Sequence, residues 1–378
     1  MTISSSAVTD TLRARIRGCL LGGAIGDALG NPVESRSLAA IRAAHGPAGV
    51  TGPVPDGEAV TGRVTDDTQM TLFTAEGLIR AHARARSKGI GGAETAVVRH
   101  AYLRWLDTQN HPAPPPPSGP DDLVRSGSLR LQPWLYARRA PGNACLSGLG
   151  RKYVPDPYAA PTGRPGPVNS GSKGCGTVTR SAPFGLTGAP AEDAFRLAAQ
   201  CAQITHGHPT GYYAAGAFAA IVRHLLDGDS LEGAVPRVLG LLARHPGHQE
   251  TTAALRRALD LAADGAPGPE KLETLGGGRV AEEALAIAVY AALARPRSIE
   301  DALLLSVNHS GDSDSTGAVC GNLLGAQHGD SALPASWLAL TEGRAVVAEL
   351  ADDLAYAFHG PAPAYDEPLF PYERYPHH

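Results

Sequence analysis

The sequence predicts an all-α fold. Ala/Leu-rich stretches with helical periodicity recur through most of the 378 residues, and the alternation of apolar and polar residues that is typical of strands is nearly absent. Apolar residues make up 43% of the chain and charged residues 19%, which is too apolar for a solvated disordered protein. The chain is therefore expected to build a sizeable helical core.

Periodicity predicts eleven helices along the chain. In the first of them, Gly18, Gly22 and Gly26 place small residues along the helix surface. Such residues lower helix propensity, but they let a neighbouring backbone come close, so we interpret this helix as a tightly packed core element. The predicted helices lie at residues 10–29, 68–86, 93–107, 191–204, 210–227, 232–244, 251–263, 281–294, 299–307, 316–327 and 343–357.

Three irregular segments interrupt the helices: the proline run at 111–120, residues 153–170 and the tail after Phe358. The helical segments beside them have too little apolar surface to fold as independent units. We therefore interpret these segments as surface excursions and not as domain linkers.

Charge and cysteine content exclude several classes of protein. A net charge of −4 and a pI near 6.4 argue against a non-specific binder of nucleic acid or of membrane surfaces, since both need a basic field. Five cysteines without a CxxC pair argue against a disulfide framework or a cysteine zinc site.

Asp27 and several glycines interrupt the N-terminal apolar run, and no other run is long enough to span a bilayer. We therefore predict a cytoplasmic protein without a membrane span.

Two acidic clusters carry the strongest chemical signal. They are Thr-Asp-Asp-Thr at 65–68 and Gly-Asp-Ser-Asp-Ser-Thr-Gly at 311–317, and each lies where a loop enters a predicted helix. Taken alone, either cluster could simply cap its helix. Both, however, combine Asp with Ser or Thr and offer no thiolate, which is the donor chemistry that Mg²⁺ and Mn²⁺ prefer. Four aspartates can also neutralise two divalent ions, so the pair of clusters favours a metal site.

Other common motifs do not fit. An EF-hand loop that begins at Asp312 would place Leu323 where a bidentate Glu is needed. A Walker loop at 166–171 would be followed by Ser172-Lys173, which is the wrong order. Neither HExxH nor GxSxG occurs in the sequence.

Five motifs, in this order along the chain, resemble the ADP-ribosylglycohydrolase family. They are residues 18–30 with their GDALG ending and the following Glu34, TDDT at 65–68, SKGCG at 172–176, TH at 205–206 and GDSDSTGA at 311–318. This resemblance implies one compact, orthogonal all-α domain over residues 1–378, with a core at about 12–358 and an irregular tail at 359–378. It overrides the expectation of two or three domains from length alone.

The resemblance further implies a binuclear centre of two Mg²⁺ or Mn²⁺ ions. Many relatives have Thr where this chain has Ser315, and Ser keeps the hydroxyl ligand. The ligands implied by the resemblance are Thr65, Asp66 and Asp67 on one side and Asp312, Asp314 and Ser315 on the other.

Three of the acidic residues are expected to be catalytic: Glu34, Asp66 and Asp314. Glu34 matches the family's glutamate after GDALG, which lies close to the metals and to the scissile bond. Asp27 lies inside the first helix, where a polar side chain is more often bonded to neighbouring backbone or to the next loop.

The expected substrate contacts come from three places. The glycine-rich loop at 169–176 fits a site where backbone N–H groups approach phosphates, and the resemblance places it along the diphosphate and the distal ribose. The turn at 141–144 resembles a ligand-lining turn of the family. The sequence also contains an HxH pair, His206 and His208, and the family places the first of these histidines against the substrate. The residues expected to bind substrate are Asn143, Gly171, Ser172, Lys173, Gly174 and His206.

The activity implied by the resemblance is hydrolysis of the glycosidic bond between ADP-ribose and a modified acceptor, with release of ADP-ribose. ADP-ribosyl-arginine protein is the first expectation for the substrate. The alternatives are an adduct of serine, of a nucleobase or of a small metabolite, or a non-catalytic relative that only binds ADP-ribose. Nucleic acid would be a partner only if the modified acceptor is a base.

Overall fold

The computed structural model describes residues 5–119, 122–361 and 367–377. These residues form sixteen α-helices and five short 3₁₀ helices, and they contain no strand. The α-helices in chain order are α1 Ser5–Gly30, α2 Leu38–His45, α3 Asp66–Lys88, α4 Glu94–Asn110, α5 Asn143–Leu149, α6 Ala182–Gly185, α7 Ala191–Ala202, α8 Pro209–Leu226, α9 Leu231–Leu242, α10 Gln249–Ala263, α11 Pro269–Glu273, α12 Ala281–Ala294, α13 Ile299–Val307, α14 Ser313–His328, α15 Ala335–Leu340 and α16 Arg344–His359. The 3₁₀ helices are Asn31–Val33, Leu129–Leu131, Pro133–Leu135, Cys175–Thr177 and Asp330–Ala332.

The all-α fold class is confirmed, and each of the eleven predicted helices is present. The five α-helices that periodicity missed, α2, α5, α6, α11 and α15, have eight residues or fewer. An amphipathic pattern needs more than two turns to be recognised, so helices of this length give no clear sequence signal. No helix among the described residues is long and apolar enough to cross a membrane.

The core is one continuous apolar cluster to which helices from the whole length of the chain contribute. Helices α8 and α12 lie at its centre, and nearly all of their residues are buried. A helix that is apolar all round can be stable in water only when neighbours cover every face, as they do here.

The stripe of small residues in α1 packs directly against α14. A Cβ built on Gly26 would lie 1.9 Å from the carbonyl oxygen of Gly317, and one built on Gly325 would lie 1.9 Å from the oxygen of Gly18. No side chain fits at such distances. Because rising residue numbers in α1 meet falling numbers in α14, the two helices are antiparallel, and the end of α1 lies beside the start of α14.

Buried charges fix two irregular segments to the helices. Glu76 in α3 pairs with Arg80 at 2.6 Å and with Arg104 of α4 at 2.8 Å. The Arg80 guanidinium also donates to the carbonyl oxygens of Ser126, at 2.7 Å, and Pro376, at 3.4 Å. The segment that follows the proline run and the C-terminal segment are therefore held on one side of the helical domain.

Apart from His359 in the tail, the described parts of the three predicted excursions contain no helix. They lie at residues 111–119, 153–170 and, in the tail, 360–361 and 367–377. Part of the predicted tail 359–378, namely 362–366 and 378, lies outside the described residues, and His359 is the last residue of α16.

We expect Gly26→Ala to lower the free energy of unfolding by about 3 kcal/mol, because the added methyl group would force α1 and α14 apart. Urea denaturation followed by circular dichroism measures the change. The matched control is Gly240→Ala in α9, where a Cβ would meet nothing within 4 Å. That substitution is expected to stabilise by about 0.5–1 kcal/mol. Similar effects of both substitutions would contradict a close contact between α1 and α14.

Candidate active site

The antiparallel contact of α1 with α14 brings together acids from distant parts of the sequence. Glu34 follows the short 3₁₀ helix after α1, Asp312 precedes the first residue of α14, and Asp314 lies in its first turn. Carboxylate oxygens of the three residues lie within 4.8 Å of one another. The backbone N–H of Ser35 donates to the carbonyl oxygen of Gly311 at 2.6 Å, which ties the two chain segments together.

The acidic cluster at 65–68 lies at the start of α3. Thr65 precedes the helix, and its hydroxyl accepts a hydrogen bond from the N–H of Asp67 at 3.3 Å. The Ser315 hydroxyl of α14 donates to Asp67 Oδ2 at 2.8 Å. The structure therefore brings the two predicted metal-binding clusters into direct contact.

Asp27 is buried against the acidic cluster at 65–68. Its carboxylate accepts the backbone N–H groups of Thr65, at 3.0 Å, and Thr68, at 3.1 Å, as well as the Thr68 hydroxyl. The expectation that Asp27 bonds the next loop is confirmed. Its function in the fold is to fix the loop that presents Asp66 and Asp67.

Burial and mutual repulsion strongly perturb these acids. Burial, followed by the charge of Asp27, raises the pKa of Asp67 to about 8. The pKa of Asp66 is held well above its usual range by burial and then by Asp67, and that of Asp314 by burial and then by Asp312. Burial and Asp312 also raise the pKa of the half-buried Glu34.

No Lys, Arg or His among the described residues forms an ion pair with any of these acids. Buried carboxylates without a basic partner must take up protons or bind cations. Carboxylate and hydroxyl oxygens are the donor set of hard divalent cations. The residues present therefore fit Mg²⁺ or Mn²⁺.

Cys175 also belongs to this site, which the sequence did not indicate. Its Sγ lies 3.3 Å from Asp312 Oδ2 and 3.5 Å from Ser315 Oγ. Cys201 and Cys320 are buried packing residues, whereas Cys175 is only partly buried. Burial of the sulfur, followed by the charge of Asp312, raises the pKa of this thiol, so it stays protonated and donates to the carboxylate. Its place in the glycine-rich loop was the available signal.

Asn169 organises the glycine-rich loop at 169–176. Its side-chain amide donates to the carbonyl oxygen of Thr205 at 2.8 Å and to that of Ala144 at 3.0 Å. These bonds join the loop to the segment before α8 and to the start of α5. A Cβ on Gly171 would meet nothing within 4 Å, so the backbone is open at this point.

Asn143 is the first residue of α5 and is exposed. The N–H of Gly142 beside it lies 3.4 Å from Asp66 Oδ2. The predicted ligand-lining turn therefore adjoins the acidic clusters.

Lys173 is engaged by carboxylates of the protein. Its Nζ pairs with Glu250 at 2.7 Å and also with Glu282. These pairs join the loop to α10 and α12, so two protein carboxylates compete with a phosphate for the ammonium group. Direct binding of substrate by Lys173 remains a prediction.

His206 lies against the same loop and is buried. A Cβ on Gly174 would lie 3.1 Å from His206 Nε2, so this edge of the ring faces the loop. Burial and then the charge of Arg180 lower the pKa of His206 to about 3. The ring is therefore neutral near pH 7.

Comparison with known proteins decides the family. The sequence profile of the ADP-ribosylglycohydrolase family matches residues 8–364. The chain belongs to this family. It is 25% identical to the ADP-ribosyl-[dinitrogen reductase] glycohydrolase of Rhodospirillum rubrum over 330 residues, which are 86% of this chain and 89% of the relative. This membership supports hydrolysis of ADP-ribose adducts as the general chemistry of the site.

Two further similarities extend over nearly the whole chain. The ADP-ribosylhydrolase ARH3 of Mus musculus is 25% identical over 379 residues, which are 92% of this chain and 91% of the relative. A solved structure described as an ADP-ribosylglycohydrolase-related protein complex has a TM-score of 0.61 and 26% identity, and the match covers 93% of this chain and 100% of the other.

In the metal-free protein, we expect stability to fall as the pH rises. An unfolded aspartate has a pKa of about 3.9, whereas the folded pKa is about 6 for Asp27 and about 8 for Asp67. The folded state therefore holds protons that the unfolded state has lost, and the stabilisation present below about pH 4 is lost by about pH 8. Thermal unfolding in EDTA across this range measures the loss. Asp67→Asn should reduce the fall of thermal stability with rising pH. An equal fall in this variant would contradict the raised pKa of Asp67.

Proposed function

We propose that this protein hydrolyses the glycosidic bond between ADP-ribose and a modified acceptor at a binuclear Mg²⁺ or Mn²⁺ centre. One observation carries the proposal: buried acids from two clusters meet in the fold, and no basic residue among the described ones forms an ion pair with them. Family membership supplies the substrate class. We further propose a single domain over 1–378 and a cytoplasmic location, with which five free cysteines agree.

The proposed ligand set contains four carboxylates and two hydroxyls. Two divalent ions would balance the charge of four ionised aspartates. When bound, such ions would lower the pKa of a water molecule toward neutrality and so supply a nucleophile. The proposed ligands are Thr65, Asp66, Asp67, Asp312, Asp314 and Ser315.

Glu34 is the proposed proton carrier, and with Asp66 and Asp314 it forms the proposed catalytic set. It is half-buried beside Asp312, and its raised pKa lets its carboxyl group hold a proton closer to neutral pH than a free glutamate would. As the glycosidic bond breaks, positive charge develops at the anomeric carbon. Carboxylates held in fixed positions beside that carbon would stabilise this charge without reorganisation.

The substrate contacts proposed for the ADP-ribose unit lie around the glycine-rich loop. Open backbone at Gly171 lets N–H groups of the loop approach the diphosphate. Ser172, Lys173 and Gly174 continue this surface, and Asn143 and His206 border it. An arginine residue of a protein is the first acceptor proposed, and serine, a nucleobase and a small metabolite are the alternatives.

The proposal is tested by incubating the protein with ADP-ribosyl-arginine protein, ADP-ribosyl-serine peptide and ADP-ribosylated DNA, each with Mg²⁺, with Mn²⁺ and with EDTA. Metal-dependent release of free ADP-ribose from one substrate supports the proposal and names the acceptor. Release of AMP would indicate a phosphohydrolase instead. Binding of ADP-ribose without release from any substrate would favour a non-catalytic relative.

We expect Asp66→Asn and Asp314→Asn each to lower kcat by about 10²–10³-fold or more, because each removes a charge on which the centre depends. The circular dichroism spectrum should be unchanged, and Mn²⁺ affinity measured by calorimetry should fall. Asp264→Asn is the matched control, because Asp264 is exposed and its only described ion pair is with Lys271. Retained activity in both site variants would exclude the metal assignment.

We expect Glu34→Gln to lower kcat by about 10²-fold while Mn²⁺ affinity is largely retained, because Gln keeps the shape of the side chain but cannot carry the proton. Steady-state kinetics and calorimetry on the same preparation measure the two effects. A loss of Mn²⁺ affinity as large as that in Asp314→Asn would instead make Glu34 a metal ligand.

A further inference from the structure

A buried arginine is linked through Thr205 to His206, one of the proposed substrate-binding residues. Arg180 is 1% exposed, and its guanidinium stacks over the Tyr102 ring at 4.6 Å. Its Nη2 donates to the Thr205 hydroxyl oxygen at 2.6 Å. A guanidinium carries only donors, so Thr205 must be the acceptor in this bond.

The single hydroxyl hydrogen of Thr205 then has two acceptors within reach. His206 Nδ1 lies 2.8 Å from the hydroxyl oxygen, and the carbonyl oxygen of Ala202 lies 3.4 Å away. The Ala202 oxygen already accepts the backbone N–H of His206 at 3.0 Å. The shorter and better placed bond is therefore the one from Thr205 to Nδ1.

An Nδ1 atom that accepts a hydrogen bond carries no hydrogen of its own. The other ring nitrogen of a neutral histidine must then carry it. A protonated ring would also place its positive charge close to that of the buried Arg180, which further favours the neutral form of His206. His206 Nε2 faces Gly174, and no atom of the described residues accepts a hydrogen bond from it.

We propose that Arg180 and Thr205 fix His206 as the neutral Nε2–H tautomer and thereby direct one hydrogen-bond donor at an oxygen of the ADP-ribose unit. The part that concerns the ligand rests on the proposed function. Arg180 and Thr205 are positioning residues, because they act through His206. Loss of the Thr205 hydroxyl frees Nδ1 to carry the hydrogen, and Nε2 then presents a lone pair to the ligand oxygen.

The tautomer is measured directly by long-range ¹H–¹⁵N NMR of protein labelled at histidine, with the His206 signals assigned through His206→Gln. The wild type should show the Nε2–H pattern at pH 7. Thr205→Val should show a mixture of tautomers, and Thr205→Ser should restore the wild-type pattern. Thr251→Val is the matched control, because the Thr251 hydroxyl is also buried but has no hydrogen-bond partner in the part of the chain that the structure describes.

The same variants are compared for binding and turnover. Thr205→Val should weaken ADP-ribose binding in calorimetry by about tenfold, the effect of one lost hydrogen bond. KM should rise by a similar factor while kcat changes less than about threefold, and Thr205→Ser and Thr251→Val should both resemble the wild type.

An Nδ1–H tautomer or a charged ring in the wild type would overturn the proposal, and so would unchanged ADP-ribose affinity in Thr205→Val. If Thr205→Val does not fold, the proposal is still tested by the His206 tautomer in the wild-type spectrum and by the ADP-ribose affinity of Thr205→Ser. Absence of ADP-ribose binding by the wild type would overturn both the proposed function and the role of His206 as a donor to the ligand. The tautomer of His206 would still be read from the spectrum.

Discussion

Backbone meets backbone where α1 packs against α14, because glycines on both helices leave no side chain between them. This contact fixes the distance, direction and register of the two helices. Since they are antiparallel, Glu34, which follows shortly after the end of α1, lies beside Asp312 and Asp314 at the start of α14. A larger residue at Gly26 would separate the helices and, with them, the acids. The packing of the core and the geometry of the candidate site therefore depend on the same glycines.

The acids are held in place by interactions that partly offset their repulsion. Asp66 and Asp314 lie in the first turns of α3 and α14, where the helix dipole favours negative charge. Asp27 accepts N–H groups from the loop before α3, and the Ser315 hydroxyl bonds Asp67. Even so, burial keeps the pKa values of these acids high, so the site opposes folding of the metal-free chain at neutral pH. Preorganised charge of this kind is typical of catalytic sites.

Around the acids, side-chain bonds to backbone and to other side chains hold the irregular segments in place. Asn169 joins the glycine-rich loop to the segment that carries His206, and Lys173 joins it to α10 and α12. On the far side, the buried Arg80 donates to carbonyl oxygens of two other irregular segments. These side-chain bonds fix the irregular segments relative to the helices, and a positioned ligand requires such fixed loops.

The sequence by itself determined the long helices and the two acidic clusters. Periodicity over several turns identifies a helix, and hard cations require particular residue types, so both leave local patterns in the chain. The five short helices, Cys175 and the bonds from Arg180 through Thr205 to His206 were decided only by the tertiary structure. A thiol or a guanidinium gives no local sign of its partner, because that partner comes from a distant segment. Lys173 shows the same limit: its sequence context suggests a phosphate, and the fold gives it two glutamates.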